Sequence, residues 1–403
     1  MKFMLVIGDG MSDEVRPGTP LAEAYHPYMD FIASNGLCGL LDTVPEGFPP
    51  SSEVAIMNIL GYDPRRYQIS RGPLEAAGLK IRLREGEIAL RCNLVTVREG
   101  RLVDYSAGHI STEEAAELLE ALEKERIGGG ALSFHVGVSY RHVAVLKGGS
   151  EALECYPPHD HMGEPLDRLK IKALSGEAEA SARLLNKVSE ESFKILSRHP
   201  VNLEREKKGK NPGNMVWFWA PGGRPNLPPF MQAFNLDGAA ISAVNVVKGL
   251  AFLLGMQVIE VPGATGYLDT NHEGKAEAAL KALDSYDFVL VHVEAPDEAA
   301  HQGDFKLKVK AIEDLDERLL RRLVEGLEER REEFAIAVLP DHATPVNVKT
   351  HTRDPVPFAF YTFPPRPGRV RPAERFDEVS ASRTGLRLEA SKFMSFFLGR
   401  GFP

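Results

Sequence analysis

An aspartate and a histidine, Asp297 and His301, stand four residues apart just after the apolar run DFVLVHVE, residues 287–294. Four residues make about one turn of an α-helix, so a short helix here would place the carboxylate and the imidazole on the same face. This spacing is typical of a pair of metal ligands. One such pair is weak support by itself, so its meaning depends on what the rest of the chain brings to the same place.

Oxygen and imidazole ligands also follow two other apolar runs. Asp9 follows the first run of the chain, Asp341 and His342 follow FAIAVLP, and His351 comes soon afterwards in KTHTRDPVPF. In open parallel sheets, functional residues collect outside the carboxyl ends of the strands. We therefore expect three strand ends to deliver these side chains to one edge of a sheet, with enough ligands for two divalent ions.

The segment PPSSEVAIMNILGYDP supplies a candidate nucleophile. Because EVAIMNIL has helical spacing, Ser51 or Ser52 would lie at or near a helix N-terminus, where unpaired N–H groups favour an anionic partner. A serine at this position is most often a simple N-cap. A metal ion within reach would instead lower the pKa of the hydroxyl group and make the serine a nucleophile. The spacing alone leaves both interpretations open.

The elements that must position these residues follow an α/β pattern. Short apolar runs alternate with amphipathic helical patterns near both ends of the chain, which predicts a parallel sheet with helices on both faces. The predicted strands cover residues 3–8, 257–261, 287–293 and 334–340. The predicted helices cover residues 20–35, 241–255, 274–283 and 306–330.

The middle of the chain has a different pattern. The runs IALRCNLVTV, RLVDYSA and SFHVGVSYRHVAVLKGG predict strands joined by hairpins around a helix at residues 112–125. We interpret residues 85–175 as an α+β cap inserted into a sheet domain made of residues 1–84 and 176–403. The segment REKKGKNPGN, residues 205–214, is either a linker or a charged loop. The aromatic run VWFWAPGGRP predicts a buried strand rather than a base-stacking surface.

Composition limits the partners. The chain has 403 residues and a net charge of -9, whereas nucleic acids and anionic membranes require a basic surface. Three cysteines lie far apart without CxxC spacing, which suits a reducing compartment. The first apolar run is too short for a signal sequence, and no later run is long enough to cross a membrane. We expect a cytoplasmic protein that binds neither nucleic acid nor membrane.

Six segments in unbroken order resemble one family. They are DGM, PPSSEVAIMNILGYDP, RGPLEAAG, HVEAPDEAAHQGD, LPDHATP and THTRDPVPF. Together they resemble the archaeal type of cofactor-independent phosphoglycerate mutases, which belong to the alkaline phosphatase superfamily. The resemblance runs from residue 1 to about residue 360. It implies an alkaline-phosphatase-like α/β core, with a parallel sheet, helices on both faces and an inserted α+β cap domain.

The resemblance also implies two divalent metal ions and their ligands. One ion would be held by Asp297, His301 and His351. The other would be held by Asp9, Asp341, His342 and the nucleophile Ser52. Ser52 is preferred to Ser51 because the family's serine is followed by an acid, a valine and a small residue, as in EVA here. Mixed imidazole and carboxylate ligands favour Mn²⁺, Zn²⁺ or Fe²⁺ over Mg²⁺, and Mn²⁺ is our first choice.

Further site residues are carried over by the resemblance. His159 in YPPHDH matches the family's acid/base histidine, and Lys275 resembles the lysine that helps the serine to lose its proton. Arg71 and Arg141 are candidates for binding phosphate or carboxylate, although pairing with a neighbouring acid explains each equally well. His109 is assigned to the substrate site, where many archaeal relatives have arginine.

The implied activity interconverts 3-phosphoglycerate and 2-phosphoglycerate through a phosphoserine intermediate, without a bisphosphoglycerate cofactor. The oligomeric state is left open. A close subgroup that shares YSAGHIST and PGATGYLDTN suggests a homoserine kinase-like alternative. A metal-dependent phosphatase is a second alternative, and a non-enzymatic sensor or scaffold is a third.

Overall fold

A computed structural model of the protein describes residues 1–365 and 372–400, which form two compact units. One unit, called the core unit below, comprises Met1–Gln68 and the described residues from Leu227 onward. The other, called the cap unit, comprises Ile69–Asn226. Every helix in the described ranges is too short or too polar to span a lipid bilayer.

The elements are numbered here in chain order. The strands are β1 (Lys2–Gly8), β2 (Leu37–Asp42), β3 (Glu87–Arg98), β4 (Arg101–Asp104), β5 (Leu132–Val138), β6 (Arg141–Lys147), β7 (Leu153–Glu154), β8 (Lys172–Ala173), β9 (Met215–Gly223), β10 (Gly238–Ile241), β11 (Gln257–Ile259), β12 (Phe288–Val293), β13 (Phe334–Leu339), β14 (Val356–Phe363) and β15 (Arg387–Glu389). The α-helices are α1 (Pro20–Glu23), α2 (Pro27–Asn35), α3 (Ser52–Ile59), α4 (Arg71–Gly78), α5 (Thr112–Lys124), α6 (Glu179–Leu196), α7 (Pro200–Lys207), α8 (Phe230–Phe234), α9 (Asn245–Leu253), α10 (His272–Ala282), α11 (Ala295–Gln302), α12 (Phe305–Asp314), α13 (Arg321–Glu329), α14 (Glu378–Arg383) and α15 (Ala390–Phe397). Short 3₁₀ helices cover Pro158–Asp160, Leu166–Arg168 and Gly176–Ala178, and a π-helical turn covers Leu315–Leu320.

The core unit is built on an eight-stranded sheet in the order β11-β10-β12-β1-β13-β14-β2-β15. Pairing is parallel except around β14, which runs antiparallel to both of its neighbours. Alternate residues of the central strand β1 face opposite sides of the sheet. Met4 belongs to a buried cluster that includes α2, α10 and α13, whereas the ring of Phe3 contacts Phe397 of α15. The predicted α/β class, with helices on both faces, is confirmed.

The cap unit contains a five-stranded antiparallel sheet. Strand β3 pairs with β4, β6 and β9, and β6 also pairs with β5. Helices α5 and α6 pack against this sheet in one hydrophobic cluster. The predicted strand in VWFWAPGGRP is therefore present as β9.

The division into units differs from the predicted boundaries at residues 85 and 175. Strand β9 pairs with β3, and α6 packs on the same sheet, so residues as far as Asn226 belong with the cap. The segment at residues 205–214 accordingly lies inside this unit, where the last residues of α7 are followed by a loop that leads to β9. Arg205 is buried there, and its Nε donates to the carbonyl oxygen of Asn211, 2.9 Å away.

Two predicted helices have different bounds in the structure. The helix expected at residues 20–35 is interrupted between α1 and α2, because proline lacks an amide hydrogen and disfavours helical geometry in the preceding residue. His26, which precedes Pro27, has φ -138° and ψ 67°. The helix expected at residues 241–255 begins only at Asn245, because Ile241 is the last residue of β10, which pairs with β11 and β12.

Candidate metal centre

Three adjacent strands deliver the predicted ligands to one edge of the core sheet. Strand β1 lies between β12 and β13, and Asp9 follows it directly. Asp297 lies on α11, immediately after β12, and Asp341 and His342 follow β13. The amide nitrogen of Gly10 donates to Asp341 Oδ1 at 3.1 Å, which ties the ends of β1 and β13 together. The topology therefore places these side chains side by side.

The first ligand group consists of Asp297, His301 and His351. Within one turn of α11, His301 Nε2 lies 3.0 Å from Asp297 Oδ2, as the four-residue spacing predicted. His351 Nε2 lies 3.0 Å from His301 Nε2 and 3.5 Å from Asp297 Oδ1. One donor atom from each of the three residues lies within 4.8 Å of the others, which is the spread that a single cation can bridge.

The second group surrounds His342. Its Nε2 atom lies 3.5 Å from Asp9 Oδ1, 3.4 Å from Asp341 Oδ2 and 3.3 Å from Ser52 Oγ. Asp9 Oδ1 and Asp341 Oδ2 are buried, and neither oxygen has a hydrogen-bond partner among the described residues. Buried carboxylate oxygens normally have a partner. A divalent cation among these four atoms would supply it, so the donor set fits a metal ion.

Backbone carbonyls fix the orientation of two of the imidazoles. His301 Nδ1 lies 3.0 Å from the carbonyl oxygen of Lys349, and His351 Nδ1 lies 3.1 Å from that of Pro50. A carbonyl oxygen can only accept, so each Nδ1 carries the proton in these bonds. In the neutral imidazole the lone pair of each Nε2 is thereby left for the cluster, an arrangement typical of metal-binding histidines.

Thr344 connects the two groups. Its hydroxyl donates to Asp297 Oδ1 at 2.6 Å, so its oxygen is free to accept from His342 Nδ1 at 3.2 Å. His342 Nε2 is then left unprotonated and faces the second group. Sequence reasoning missed this threonine, although it lies only two residues after a predicted ligand.

Ser52 begins α3, and Ser51 is its N-cap residue. The side chain of Ser51 makes no capping hydrogen bond, and its Oγ is buried without a partner in the described chain. The Ser52 hydroxyl, in contrast, reaches His342 Nε2. Of the two serines that the sequence left open, Ser52 is the one that lies against the candidate ligands.

The electrostatics of the cluster also favour a cation. The hydrogen bond that His301 donates to the carboxylate of Asp297 raises the pKa of His301 to about 9. Burial would raise the pKa of Asp297, but bonds from His301 and His351 outweigh it and hold that pKa far below its usual range. Burial raises the pKa of Asp9 well above normal, and the nearby charge of Asp341 raises it further. Without a metal ion, protons bound to His301, His351 and Asp9 compensate the negative charge of the cluster, and a cation would compensate the same charge.

His292 and Glu294 belong to the same site, and sequence reasoning assigned them no role. His292 Nε2 lies 2.9 Å from Asp9 Oδ2 and 3.7 Å from Glu294 Oε2. Burial lowers the pKa of His292 to about 4, so this side chain is neutral and orients Asp9 through one hydrogen bond. The signal was a polar residue inside the otherwise apolar strand β12, since buried polar side chains require a partner.

Lys275 lies on α10 and is buried. Its ammonium group donates to the carbonyl oxygen of His292 at 3.0 Å rather than to Ser52. Burial lowers the pKa of Lys275 to about 8, and Glu294 opposes this shift. Lys275 is thus connected to Asp9 through His292, which bonds both residues. Its predicted action on Ser52 remains a prediction.

Most of the predicted substrate residues of the cap unit share one aromatic cluster. The cluster comprises Tyr105, Tyr140 and Trp219 with His109, His159 and Arg141. The ring of His159 lies 5.6 Å from that of Trp219 and 6.2 Å from that of Tyr105. The ring of His109 lies 6.1 Å from that of Tyr140, over which Arg141 is placed at 5.6 Å. Residues far apart in sequence therefore form one cluster in the cap unit.

Arg91 is a further cation of this cluster that sequence reasoning missed. Its guanidinium group lies 4.5 Å from the ring centre of Trp219, and its Nε lies 3.8 Å from Glu75 Oε1. Burial lowers the pKa of Arg91, and the charges of Arg71 and Arg141 lower it further. An arginine within the apolar run IALRCNLV was the available signal, because arginine is rarely buried without a reason.

Comparisons with known proteins identify the family of this chain. The sequence model of a family described as 2,3-bisphosphoglycerate-independent phosphoglycerate mutase matches residues 33–202. A protein of that name from Methanosarcina barkeri (strain Fusaro / DSM 804) is 47% identical over 394 residues, and the alignment covers 96% of this chain and 96% of the relative. One from Methanosarcina acetivorans is 48% identical over 395 residues, covering 96% of this chain and 97% of the relative.

Solved structures show the same fold. A cofactor-independent phosphoglycerate mutase from Thermoplasma acidophilum DSM 1728 superposes with a TM-score of 0.72 at 32% identity, covering 100% of both chains. A Pyrococcus horikoshii protein superposes with a TM-score of 0.81 at 28% identity, covering 100% of this chain and 98% of that one.

Proposed function

Because this chain belongs to the family of 2,3-bisphosphoglycerate-independent phosphoglycerate mutases, we propose that it interconverts 3-phosphoglycerate and 2-phosphoglycerate through a phosphoserine at Ser52. The names of the full-length relatives favour this isomerase activity over a homoserine kinase-like or phosphatase activity. No bisphosphoglycerate is needed, since the transferred phosphoryl group comes from the substrate itself.

One observation carries the proposal: a serine hydroxyl at a helix N-terminus lies 3.3 Å from His342, near buried carboxylate oxygens that have no hydrogen-bond partner within residues 1–365 and 372–400. In the first half-reaction, Ser52 Oγ bonds to the phosphorus of 3-phosphoglycerate, and the bond to the substrate oxygen breaks. In the second, the 2-hydroxyl of the retained glycerate attacks the phosphoserine and releases Ser52. Both steps are phosphoryl transfers in which positioning and charge compensation supply most of the catalysis.

The ligand groups described above would hold two divalent ions. Asp297, His301 and His351 would bind one ion, while Asp9, Asp341, His342 and Ser52 would bind the other. Bound cations at such a site lower the pKa of a serine hydroxyl and compensate charge on a phosphoryl group. We infer Mn²⁺ from the mixture of imidazole and carboxylate donors, with Zn²⁺, Fe²⁺ and Mg²⁺ as competitors.

The cap unit would bind the glycerate part of the small phosphorylated substrate. The charges of Arg71 and Arg141 both lower the pKa of Arg91, so positive charge is concentrated near Arg91, which supports an anion site on this surface. His159 would exchange protons with the alcohol oxygens of glycerate. We place the activity in the cytoplasm, because the widely spaced cysteines suit a reducing compartment.

Phosphorus NMR tests the proposed reaction directly. The purified protein with Mn²⁺ and 3-phosphoglycerate, without bisphosphoglycerate, should produce the 2-phosphoglycerate resonance. Treatment with EDTA should stop its growth, and added Mn²⁺ should restore it. Free phosphate in place of the isomer would identify a phosphatase, and an unchanged spectrum would refute the proposal.

A further inference from the structure

A lysine that no metal ligand contacts directly lies completely buried behind the candidate metal centre. Lys308 is the fourth residue of α12, and its side chain has no exposure to solvent. Its ammonium group donates to Asp13 Oδ1 at 2.5 Å and to the carbonyl oxygens of Ser12 at 3.0 Å and Thr344 at 2.9 Å. An ammonium group has three N–H donors, so all three are used.

The partners of Lys308 are themselves fixed. Asp13 Oδ2 accepts from the amide nitrogen of Val346 at 3.3 Å, and the amide of Asp13 donates to Glu378 Oε1 at 2.8 Å. The second oxygen of Glu378 accepts from the hydroxyl of Thr19 at 2.7 Å. These groups form a buried polar network that joins α12 and α14 to the loops after β1 and β13. A buried polar group whose hydrogen bonds are satisfied, as the three donors of Lys308 are, holds its partners in one geometry strongly.

Both loops that Lys308 contacts carry candidate ligands. Ser12 lies in the loop after β1, three residues after Asp9, and Thr344 lies in the loop after β13, two residues after His342. The amide of Thr344 also donates to the carbonyl oxygen of Ser12 at 3.0 Å, so the two loops are joined directly. The hydroxyl of Thr344 then bonds Asp297 and His342, one ligand from each group. A displacement of Thr344 would disturb both groups together.

We propose that Lys308 is a positioning residue for both metal ions, because it fixes the backbone of the two ligand loops through Ser12 and Thr344. The proposal rests on the metal centre proposed above. It goes beyond that centre by assigning a role to a residue that touches neither metal ligand nor substrate. A lysine needed only for stability would have no selective effect on metal affinity.

Replacing Lys308 by methionine tests the proposal, since methionine keeps the length of the side chain and removes the three donors. Loss of a group that bonds metal ligands directly, as Thr344 does, typically weakens metal affinity about 10- to 100-fold, and a displaced Thr344 should give a loss at the lower end, about 10-fold. We expect that loss for Mn²⁺ measured by calorimetry on the Lys308→Met protein. Asp316→Asn is the matched control. Asp316 is also completely buried in the core unit, but its carboxylate accepts from the amides of Tyr28 and Met29, away from the ligand loops.

The control should lower the thermal midpoint of metal-free protein while keeping Mn²⁺ affinity within about twofold. Equal losses of affinity in the two variants at equal losses of thermal stability would overturn the positioning role. If Lys308→Met fails to fold, the double variant Lys308→Met with Asp13→Asn avoids an unpaired buried charge. Wild-type affinity in the folded double variant would also refute the proposal. Failure of the unmodified protein to bind Mn²⁺ would instead refute the proposed function.

Discussion

Raising the pH from 6 to 8 should tighten Mn²⁺ binding to the metal-free protein by about 100-fold or more. The prediction concerns His301, whose pKa is raised to about 9 by its hydrogen bond to Asp297. A metal ion requires the neutral imidazole, so His301 must release its proton on binding. A raised pKa means that this proton is bound throughout the range from pH 6 to 8, and competition with the metal is therefore strongest at the low end.

The magnitude follows from proton counting. Each proton displaced by the metal changes the binding constant by about tenfold per pH unit, or about 1.4 kcal/mol. His301 supplies one such proton. The pKa of His351 is also raised, because its bonds to Asp297 outweigh the effect of burial, so it adds to the slope. The logarithm of the binding constant should thus rise by at least about one per pH unit.

Isothermal titration calorimetry in buffers of different ionisation enthalpy measures the affinity and the released protons together. His161→Asn is a suitable control, because His161 pairs with Glu164 in the cap unit at 2.9 Å. His161→Asn should leave unchanged the slope of the logarithm of the Mn²⁺ binding constant against pH. His301→Asn should reduce that slope by about one. A flat pH profile of the unmodified protein would show that His301 either is neutral or does not bind the metal.

Three further predictions concern catalysis. Ser52→Ala should abolish turnover in a coupled enolase assay. It should change Mn²⁺ affinity by less than about tenfold, because Asp9, Asp341 and His342 remain as protein ligands of the ion that Ser52 would bind. Turnover comparable to that of the unmodified protein would exclude Ser52 as nucleophile. The rate should fall as the pH rises through about 8, because Lys275 there loses the positive charge that would stabilise the deprotonated serine, and Lys275→Met should remove this fall in the pH profile. Arg91→Met should raise KM about 10-fold or more, in line with about 1.5 kcal/mol for a charge-assisted contact, with a smaller change in kcat. The exposed Arg98→Met is the control, and equal effects of the two variants on KM would argue against a substrate role for Arg91.

The ligand edge of the core sheet was predictable because its chemistry follows strand ends. Asp9, Asp297 and Asp341 each follow the end of a buried apolar strand within four residues, and parallel strands bring such positions together. The four-residue spacing to His301 also gave the helical contact correctly. The position of His351 soon after His342 indicated the same edge of the sheet, but its grouping with Asp297 and His301 came only from the family resemblance.

Other features depended on contacts distant in sequence. Nothing in the sequence around β9 shows that it pairs with β3, so the cap was predicted to end too early in the chain. Thr344 and His292 act by bonding candidate metal ligands. No spacing in the sequence shows that either residue contacts a ligand. Lys308 resembles its neighbours in the charged helix KLKVK, and only its burial distinguishes it from the exposed Lys306 and Lys310.

Trapping the covalent intermediate tests the central claim most directly. The protein with Mn²⁺ and 3-phosphoglycerate should be quenched in acid within a few turnovers and digested, and the peptide that contains Ser51 and Ser52 should be sequenced by mass spectrometry. We predict one phosphoryl group on Ser52, retained in a Ser51→Ala variant and absent from Ser52→Ala. Phosphate on Ser51, or turnover without any phosphorylated serine, would contradict the account.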